Sequence, residues 1–205
     1  MDTNLPQGEP SVSPYDYYWR KFASGFFELV KVTVLALAIV VPIRYFLIQP
    51  FYVKGASMEP NFHDNEYLII NEVTYRFSEP ERGDVVVFKY PRDPEQYFIK
   101  RVIGMPGESV KVENGLVYLK LAGAADYQLL DESAYLDSYV KTYPNLEVTV
   151  NEGEYFVMGD NRSASLDSRI FGVVGQDFVV GKTWLRAWPL SKLKNFGDVN
   201  YGLEE

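Results

Sequence analysis

"RGDVVVFKYPRDPEQYFIKRVIGMPGES", residues 82–109, decides the fold of this chain. Two runs rich in β-branched and aromatic residues, "DVVVFKY" (84–90) and "YFIKRVIG" (97–104), flank the turn-forming "RDPEQ" (92–96). That pattern predicts an antiparallel pair of strands. Side chains alternate along a strand, so Phe98, Lys100 and Val102 share one face while Tyr97, Ile99, Arg101 and Ile103 share the other. Both faces are largely apolar. Most strand lysines point to water, but a strand that is apolar on both sides is a candidate to carry Lys100 into the interior.

Outward from this hairpin the same signature recurs in "FYVKG" (51–55), "EYLIINEVTYRF" (66–77), "SVKVENGLVYLK" (109–120), "EYFVMG" (154–159) and "FVVGKTWLRAW" (178–188). "GMPGE" (104–108) reads as a turn, and Asn114-Gly115 is the dipeptide of a two-residue type I′ hairpin. No second long helical pattern and no fixed-period repeat appears, so the expected fold class is mainly β and antiparallel. Residues 121–150 alternate weakly and read as a loop-rich excursion without a legible role.

The first fifty residues differ. "MDTNLPQGEPSVSP" (1–14) is polar and Pro-rich and is expected to be disordered. "YDYYWRKF" (15–22) sets Tyr and Trp beside Arg20 and Lys21, a mixture suited to a membrane–water boundary. The apolar stretch from Val32 to Ile43 is short for a bilayer, which takes about 20 residues. Extended from Phe26 to Ile48 it suffices, with Glu28, Lys31 and Arg44 near its ends, where long basic side chains snorkel. The expected organisation is a tail over 1–23, disordered and then interfacial, a transmembrane anchor over 24–46 and a β-domain over 47–205. A buried core helix or a cleaved signal peptide would also fit the apolar run. Arg20 and Lys21 on one side are matched by Arg44 and Lys54 on the other, so basic residues alone leave the orientation open.

At 205 residues the chain suits one medium domain with appendages. Residues 1–54 carry a net charge of +1 and residues 55–205 a net charge of −9. No basic face is expected on so acidic a domain, which argues against nucleic-acid binding. The absence of cysteine excludes disulfides, thiolate zinc sites and a cysteine nucleophile. A single histidine excludes a zinc site of the H-E-x-x-H kind.

"YVKGASMEP" (52–60) places Ser57 among small residues just after a strand. As a nucleophile it needs a base, and His63, in the polar "NFHDNE", lacks the strand-turn-helix setting of a nucleophile elbow. Metal-activated water lacks ligands, which leaves a turn serine without catalytic role or a Ser-Lys pair. A lysine base must be neutral, and lowering its ordinary pKa of about 10.4 takes desolvation among apolar side chains. Lys100 is the candidate. A third cluster, "FVMGDNRSASLDSRIFGVV" (156–174), suggests a polar loop folded around internal hydrogen bonds and an Asp-Arg pair. A cation site on Asp160, Asn161 and Asp167 is disfavoured, because the ligand spacing of a calcium loop is missing.

"GASMEPNF" (55–62), the 82–109 stretch and "GDNRSASLDSRIFG" (159–172), in this order behind an apolar segment, resemble the successive boxes of type I (bacterial-type) signal peptidases. The resemblance runs from about residue 30 to 190. It implies a coiled antiparallel sheet or partial barrel behind one transmembrane helix, and a Ser-Lys serine protease that cuts exported preproteins after a small-x-small, typically Ala-x-Ala, sequence. By position Ser57 would be the nucleophile and Lys100 the general base, and Ser165 would hydrogen-bond the lysine amine. Asp160, Asp167 and Arg169 would be structural around the site, with Asp167 and Arg169 paired; Arg101 and Asp84 would be architectural. The oxyanion hole, at Ser57 and Gly55, would use the Ser57 N–H; where some members have a serine this chain has Gly55, so a backbone donor or water would replace the lost hydroxyl. The resemblance also implies an N-terminus in the cytoplasm, a catalytic domain outside the plasma membrane with its active site at the membrane surface, and no cofactor. Signal peptides, the lipid bilayer and a nearby secretion translocon are the expected partners.

Phe51, Val53, Gly55 and Ser57 share one strand face. A substrate strand added alongside would put alternate residues into two shallow pockets, for which Phe51, Val53 and Ile99 are the expected lining. Two other readings fit parts of the sequence: a self-cleaving Ser-Lys regulator of the repressor type, and a non-catalytic anchored β-module.

Overall fold

The computed structural model describes residues 14–46, 48–196, 199, 201 and 203. The tail over 1–13 lies outside the described residues. The chain divides into two compact units, Met1–Tyr45 and Phe46–Glu205.

Among the described residues the first unit consists of a helix, α1, Pro14–Phe46, whose 33 residues span about 50 Å at 1.5 Å per residue. It begins ten residues before the expected start of the anchor. Proline suits the first helical position, because its missing N–H would be unbonded there anyway. The aromatic and basic stretch behind it continues the helix, with Trp19 and Phe22 stacked one turn apart at 5.9 Å. The change at residue 24 is therefore one of polarity, from boundary aromatics to apolar residues, within one continuous helix. Tyr18–Pro42 is long and apolar enough to cross a membrane, and Phe27, Val32, Leu35 and Leu37 along it are exposed.

The second unit is built from two antiparallel sheets. The larger contains β1 (Ile48–Tyr52), β2 (Tyr67–Asn71), β3 (Val85–Tyr90), β4 (Asp93–Gly104), β9 (Glu154–Met158), β10 (Val174–Gly175), β11 (Val179–Trp188) and β12 (Lys194–Asn195). Its order is β1-β2-β11-β3-β4-β9-β10, with β12 on β11, an open path and not a closed barrel. The smaller sheet, in the order β7-β6-β5-β8, comprises β5 (Ser109–Glu113), β6 (Leu116–Lys120), β7 (Gln128–Leu129) and β8 (Leu146–Thr149). The excursion over 121–150 thus supplies the two outer strands of this second sheet and the loops between them.

The hairpin expected at 82–109 forms as β3 and β4, in a register that sets Val86 opposite Lys100 and Val87 opposite Ile99. Its turn is tighter than "RDPEQ" suggests. Tyr90 already pairs with Asp93, so the turn falls on Pro91 and Arg92 and β4 starts within the expected loop. Asn114 and Gly115 both take positive φ, 53° and 81°, as the type I′ turn between β5 and β6 requires.

One expected strand ends early. The Asn71 side chain accepts hydrogen bonds from the amides of Val73 and Thr74 at 3.0 and 3.1 Å, which turns the chain into a one-turn helix, α2, Thr74–Phe77. Beneath the functional face, Val53, Met58, Phe62, Leu68, Ile70, Val85 and Val87 form one buried cluster, against which Phe51 and Ile99 pack. A separate cluster, with Ile103, Val110, Leu119 and Phe156 among its members, holds the smaller sheet to the larger.

Candidate active site

Ser57 follows a short extended stretch in which Val53 pairs with Asn65 and Glu66, its amide donating to Glu66 O at 2.9 Å and its carbonyl accepting from Asn65 N at 3.1 Å. Gly55 then takes φ +95°, a conformation that L side chains rarely adopt, and redirects the chain. Met58 and Phe62, four residues apart, are buried to 1% and 0% exposure, and the Phe62 amide bonds Met58 O at 2.8 Å. Two apolar plugs thereby fix the turn and leave Ser57 half-buried at its rim.

Lys100 reaches this rim from β4. It is only 3% exposed. Its Nζ donates to Ser57 Oγ at 2.7 Å and to Ile99 O at 2.7 Å, and it stands 5.3 Å from the centre of the Phe98 ring. Burial pulls the ammonium down to about 8, against the opposing pull of the Asp167 and Asp160 carboxylates. A large part of the population is therefore neutral near that pH, and a neutral amine 2.7 Å from a hydroxyl can accept its proton. Arg101, its chain neighbour, is also buried and pairs through two bonds with Asp160, Nε to Oδ1 at 2.9 Å and Nη2 to Oδ2 at 2.7 Å.

Asp167 and Arg169 form the expected pair, with Arg169 Nε and Nη2 on the two carboxylate oxygens at 2.8 and 2.7 Å. Burial acts to raise the Asp167 carboxyl, but Arg169 and the Gly159 amide hold it below its ordinary value. Asp167 also caps a one-turn helix, α3, Ser168–Phe171, by accepting from the Arg169 amide.

Two expectations need correction. Ser165 makes no hydrogen bond to Lys100: the lysine donates to Ser57 and Ile99 instead. The Ser165 hydroxyl is buried behind Gly159 without a well-formed hydrogen bond, near enough to Asp167 to help hold that carboxylate low. Gly55 does not offer its amide to the groove, because that N–H donates to Asp64 Oδ1 at 2.7 Å. The Ser57 amide, by contrast, bonds no acceptor among the described residues.

A groove of about 560 Å³ runs past Ser57 and Lys100. Phe51, Val53 and Ile99 line it, together with Leu68, Val87, Tyr97 and Leu166. Leu68 and Val87 sit opposite Phe51 and Ile99 in the strand registers, so a cross-strand pair forms each wall. Sequence parity within one strand finds half of each pair; the partner depends on register. Asn61 and Asn161 join the site through long-range bonds that no local pattern marks. Asn61 Nδ2 bonds Asp160 Oδ2 at 3.0 Å, while Asn161 donates its amide to Ser57 O and its side chain to Ala56 O, both at 3.0 Å. Asn161 ties the third sequence cluster to the backbone of the nucleophile.

A family model described as signal peptidase, peptidase S26, matches residues 26–188 of this chain. The chain is 33% identical over 202 residues to the probable signal peptidase I-1 of Synechocystis sp., covering 95% of each protein. It is 37% identical over 175 residues to the probable signal peptidase I-2 of the same organism, covering 81% of this chain and 75% of the relative. Against signal peptidase IB of Staphylococcus aureus the identity is 36% over 177 residues, with 81% and 92% covered. Matches of this length take in the groove, the buried lysine and the loop behind them, and they show that the chain belongs to the signal peptidase family, peptidase S26, as a serine endopeptidase of the signal peptidase I kind.

Proposed function

We propose that this protein removes signal peptides from exported preproteins, cutting after a small-x-small sequence of the Ala-x-Ala type with Ser57 as nucleophile and Lys100 as general base. The observation that carries this reading is the 2.7 Å contact between Lys100 Nζ and Ser57 Oγ, made by a lysine that is 3% exposed.

In the first half-reaction the neutral Lys100 amine takes the Ser57 proton as Oγ attacks the carbonyl carbon of the second small residue. The oxygen that gains negative charge is stabilised by the Ser57 N–H. Lys100, now an ammonium, passes its proton to the departing amine, and the peptide bond breaks to leave an acyl group on Ser57. Water, deprotonated by the same amine, then attacks the ester and releases the signal peptide's carboxylate with the serine restored. Asp160, Asp167 and Arg169 hold the loop behind the pair. The substrate adds as an extended strand along the groove, with alternate side chains against the walls of Phe51, Val53 and Ile99, which accounts for small residues at alternate positions.

In the same reading α1 is a single membrane anchor over 24–46, the N-terminus is cytoplasmic and the β-domain over 47–205 is extracytoplasmic. The lipid bilayer is then a constant partner, and the secretion translocon a neighbour that delivers substrates.

Purified protein in detergent micelles, given a preprotein with an Ala-x-Ala site, tests the proposal. Cleavage is expected after the second Ala, and loss of cleavage in both Ser57→Ala and Lys100→Ala with folding retained. Persistent activity in Lys100→Ala, or inhibition by chelators, would overturn the mechanism.

A further inference from the structure

The excursion over 121–150 carries a cluster of polar groups directed at the back of the active-site loop. Glu132 grips the Arg162 guanidinium with both carboxylate oxygens, at 2.8 and 2.5 Å, and Thr142 Oγ1 accepts from the same guanidinium at 2.7 Å. The Arg162 side chain is 1% exposed. Burial of a guanidinium is costly without such partners, and Glu132 is the carboxylate that pairs with it. On its other edge Arg162 Nε donates to Gly159 O at 3.1 Å, and its carbonyl accepts from Arg169 at 2.8 Å. The adjoining Asn161 amide reaches Ser57 O. A short path of bonds therefore runs from Glu132 through Arg162 and the 159–161 turn to the backbone of Ser57.

We propose that Glu132, together with Thr142, is a positioning element that the second sheet's loops supply to the catalytic domain, acting through Arg162 to hold the 159–161 turn against Ser57. Tyr135, from the same loops, reinforces it. Its hydroxyl donates to Glu132 at 2.7 Å, its carbonyl accepts from Asn61 at 2.8 Å, and its ring lies 4.1 Å beneath the Arg101 guanidinium. The inference rests on Ser57 being the nucleophile, but the link itself is measurable without turnover.

Glu132→Gln keeps the shape and removes the charge. In the full-length protein in micelles it is expected to lower kcat about 10- to 100-fold, as a small misplacement of a reacting group does, with KM changed by less than about twofold. Hydrogen exchange at the Asn161 amide should accelerate by at least about tenfold, because that bond opens more often. Adding Glu132→Gln to Arg162→Gln should cost nothing further, since both break one path. Glu147→Gln, on β8, where the carboxylate accepts an exposed bond from Tyr127, should leave kcat unchanged. Should Glu132→Gln fail to fold, Thr142→Val removes a single bond to Arg162 and is expected to lower kcat several-fold. Wild-type kcat and exchange in a folded Glu132→Gln or Thr142→Val, or full additivity with Arg162→Gln, would overturn the proposal. A wild-type protein that cuts no preprotein yet shows the exchange response would sink the substrate reading and support the link.

Discussion

Lys100 Nζ donates to Ser57 Oγ at 2.7 Å from a position that is almost sealed from water. Because burial pulls the lysine down to about 8, the proton-accepting form gains population as the pH rises through that value. The rate of preprotein cleavage is therefore expected to climb about tenfold per pH unit well below 8 and to level off above it. A pH profile of single-turnover cleavage measures this, and a flat profile between about pH 6 and 9 would count against a lysine base.

The same burial makes Lys100 a burden on stability. Its folded pKa lies below the unfolded value of about 10.4, so the unfolded chain holds the proton more tightly. Below pH 8 both states are charged and the fold bears the full cost, about 3 kcal/mol. As the pH rises from 8 toward 10.4 the folded state is neutral first, and the cost disappears. Lys100→Met should therefore be more stable than wild type by about 2 kcal/mol near pH 6, after the lost bond to Ser57 is allowed for. That advantage should be lost before about pH 10.5, where the missing bond to Ser57 leaves the variant slightly less stable than wild type. Denaturant unfolding at the two pH values decides it: an advantage that does not change with pH would mean the lysine is charged in the fold throughout.

How far the sequence reveals this site depends on whether a feature is local. The hairpin of β3 and β4, the type I′ turn at Asn114-Gly115 and the alternation that turns Lys100 inward all arise from neighbouring residues, and each is legible. The cross-strand partners Leu68 and Val87 depend on register, which a slip of one residue would reverse. The early end of β2 turns on one side-chain oxygen of Asn71. Glu132 stands in a stretch without periodicity, thirty residues from the arginine it grips, and no local pattern marks it. Ser165 shows the limit of carrying a role over by position: its hydroxyl lies against Gly159, where the chain comes close to Ser57, and it makes no hydrogen bond to Lys100.

That approach supports a third prediction. A Cβ at residue 159 would collide with the Ser165 hydroxyl and with the Ser57 carbonyl oxygen. Backbone cannot yield as a flexible side chain does, so Gly159→Ala must push the nucleophile's turn away from the loop. The expected cost is about 1–3 kcal/mol of stability, in the range of other overpacked sites. The larger effect should be on kcat, lowered about 100-fold by misplacement of Ser57 relative to Lys100. Thermal unfolding and steady-state kinetics on the variant separate the two; near-normal kcat would show that Ser57 tolerates displacement of this loop.

Selectivity for small residues should reside in the paired walls of the groove. Ile99 packs against Val87 across the strand pair, and Phe51 sits opposite Leu68 with its ring 5.5 Å from Tyr97. Ile99→Ala removes three carbons from one wall while leaving in place the backbone carbonyl that accepts from Lys100 Nζ. The added room should let a preprotein with Val in place of a small residue be cut, changing the Val-to-Ala ratio of kcat/KM by about 10- to 100-fold, the range expected for one or two methylenes. Because the catalytic pair is untouched, kcat on the Ala-x-Ala preprotein should fall by less than about fivefold. Competition between the two preproteins in one reaction measures the ratio directly, and an unchanged ratio would remove Ile99 from the pocket that reads the substrate.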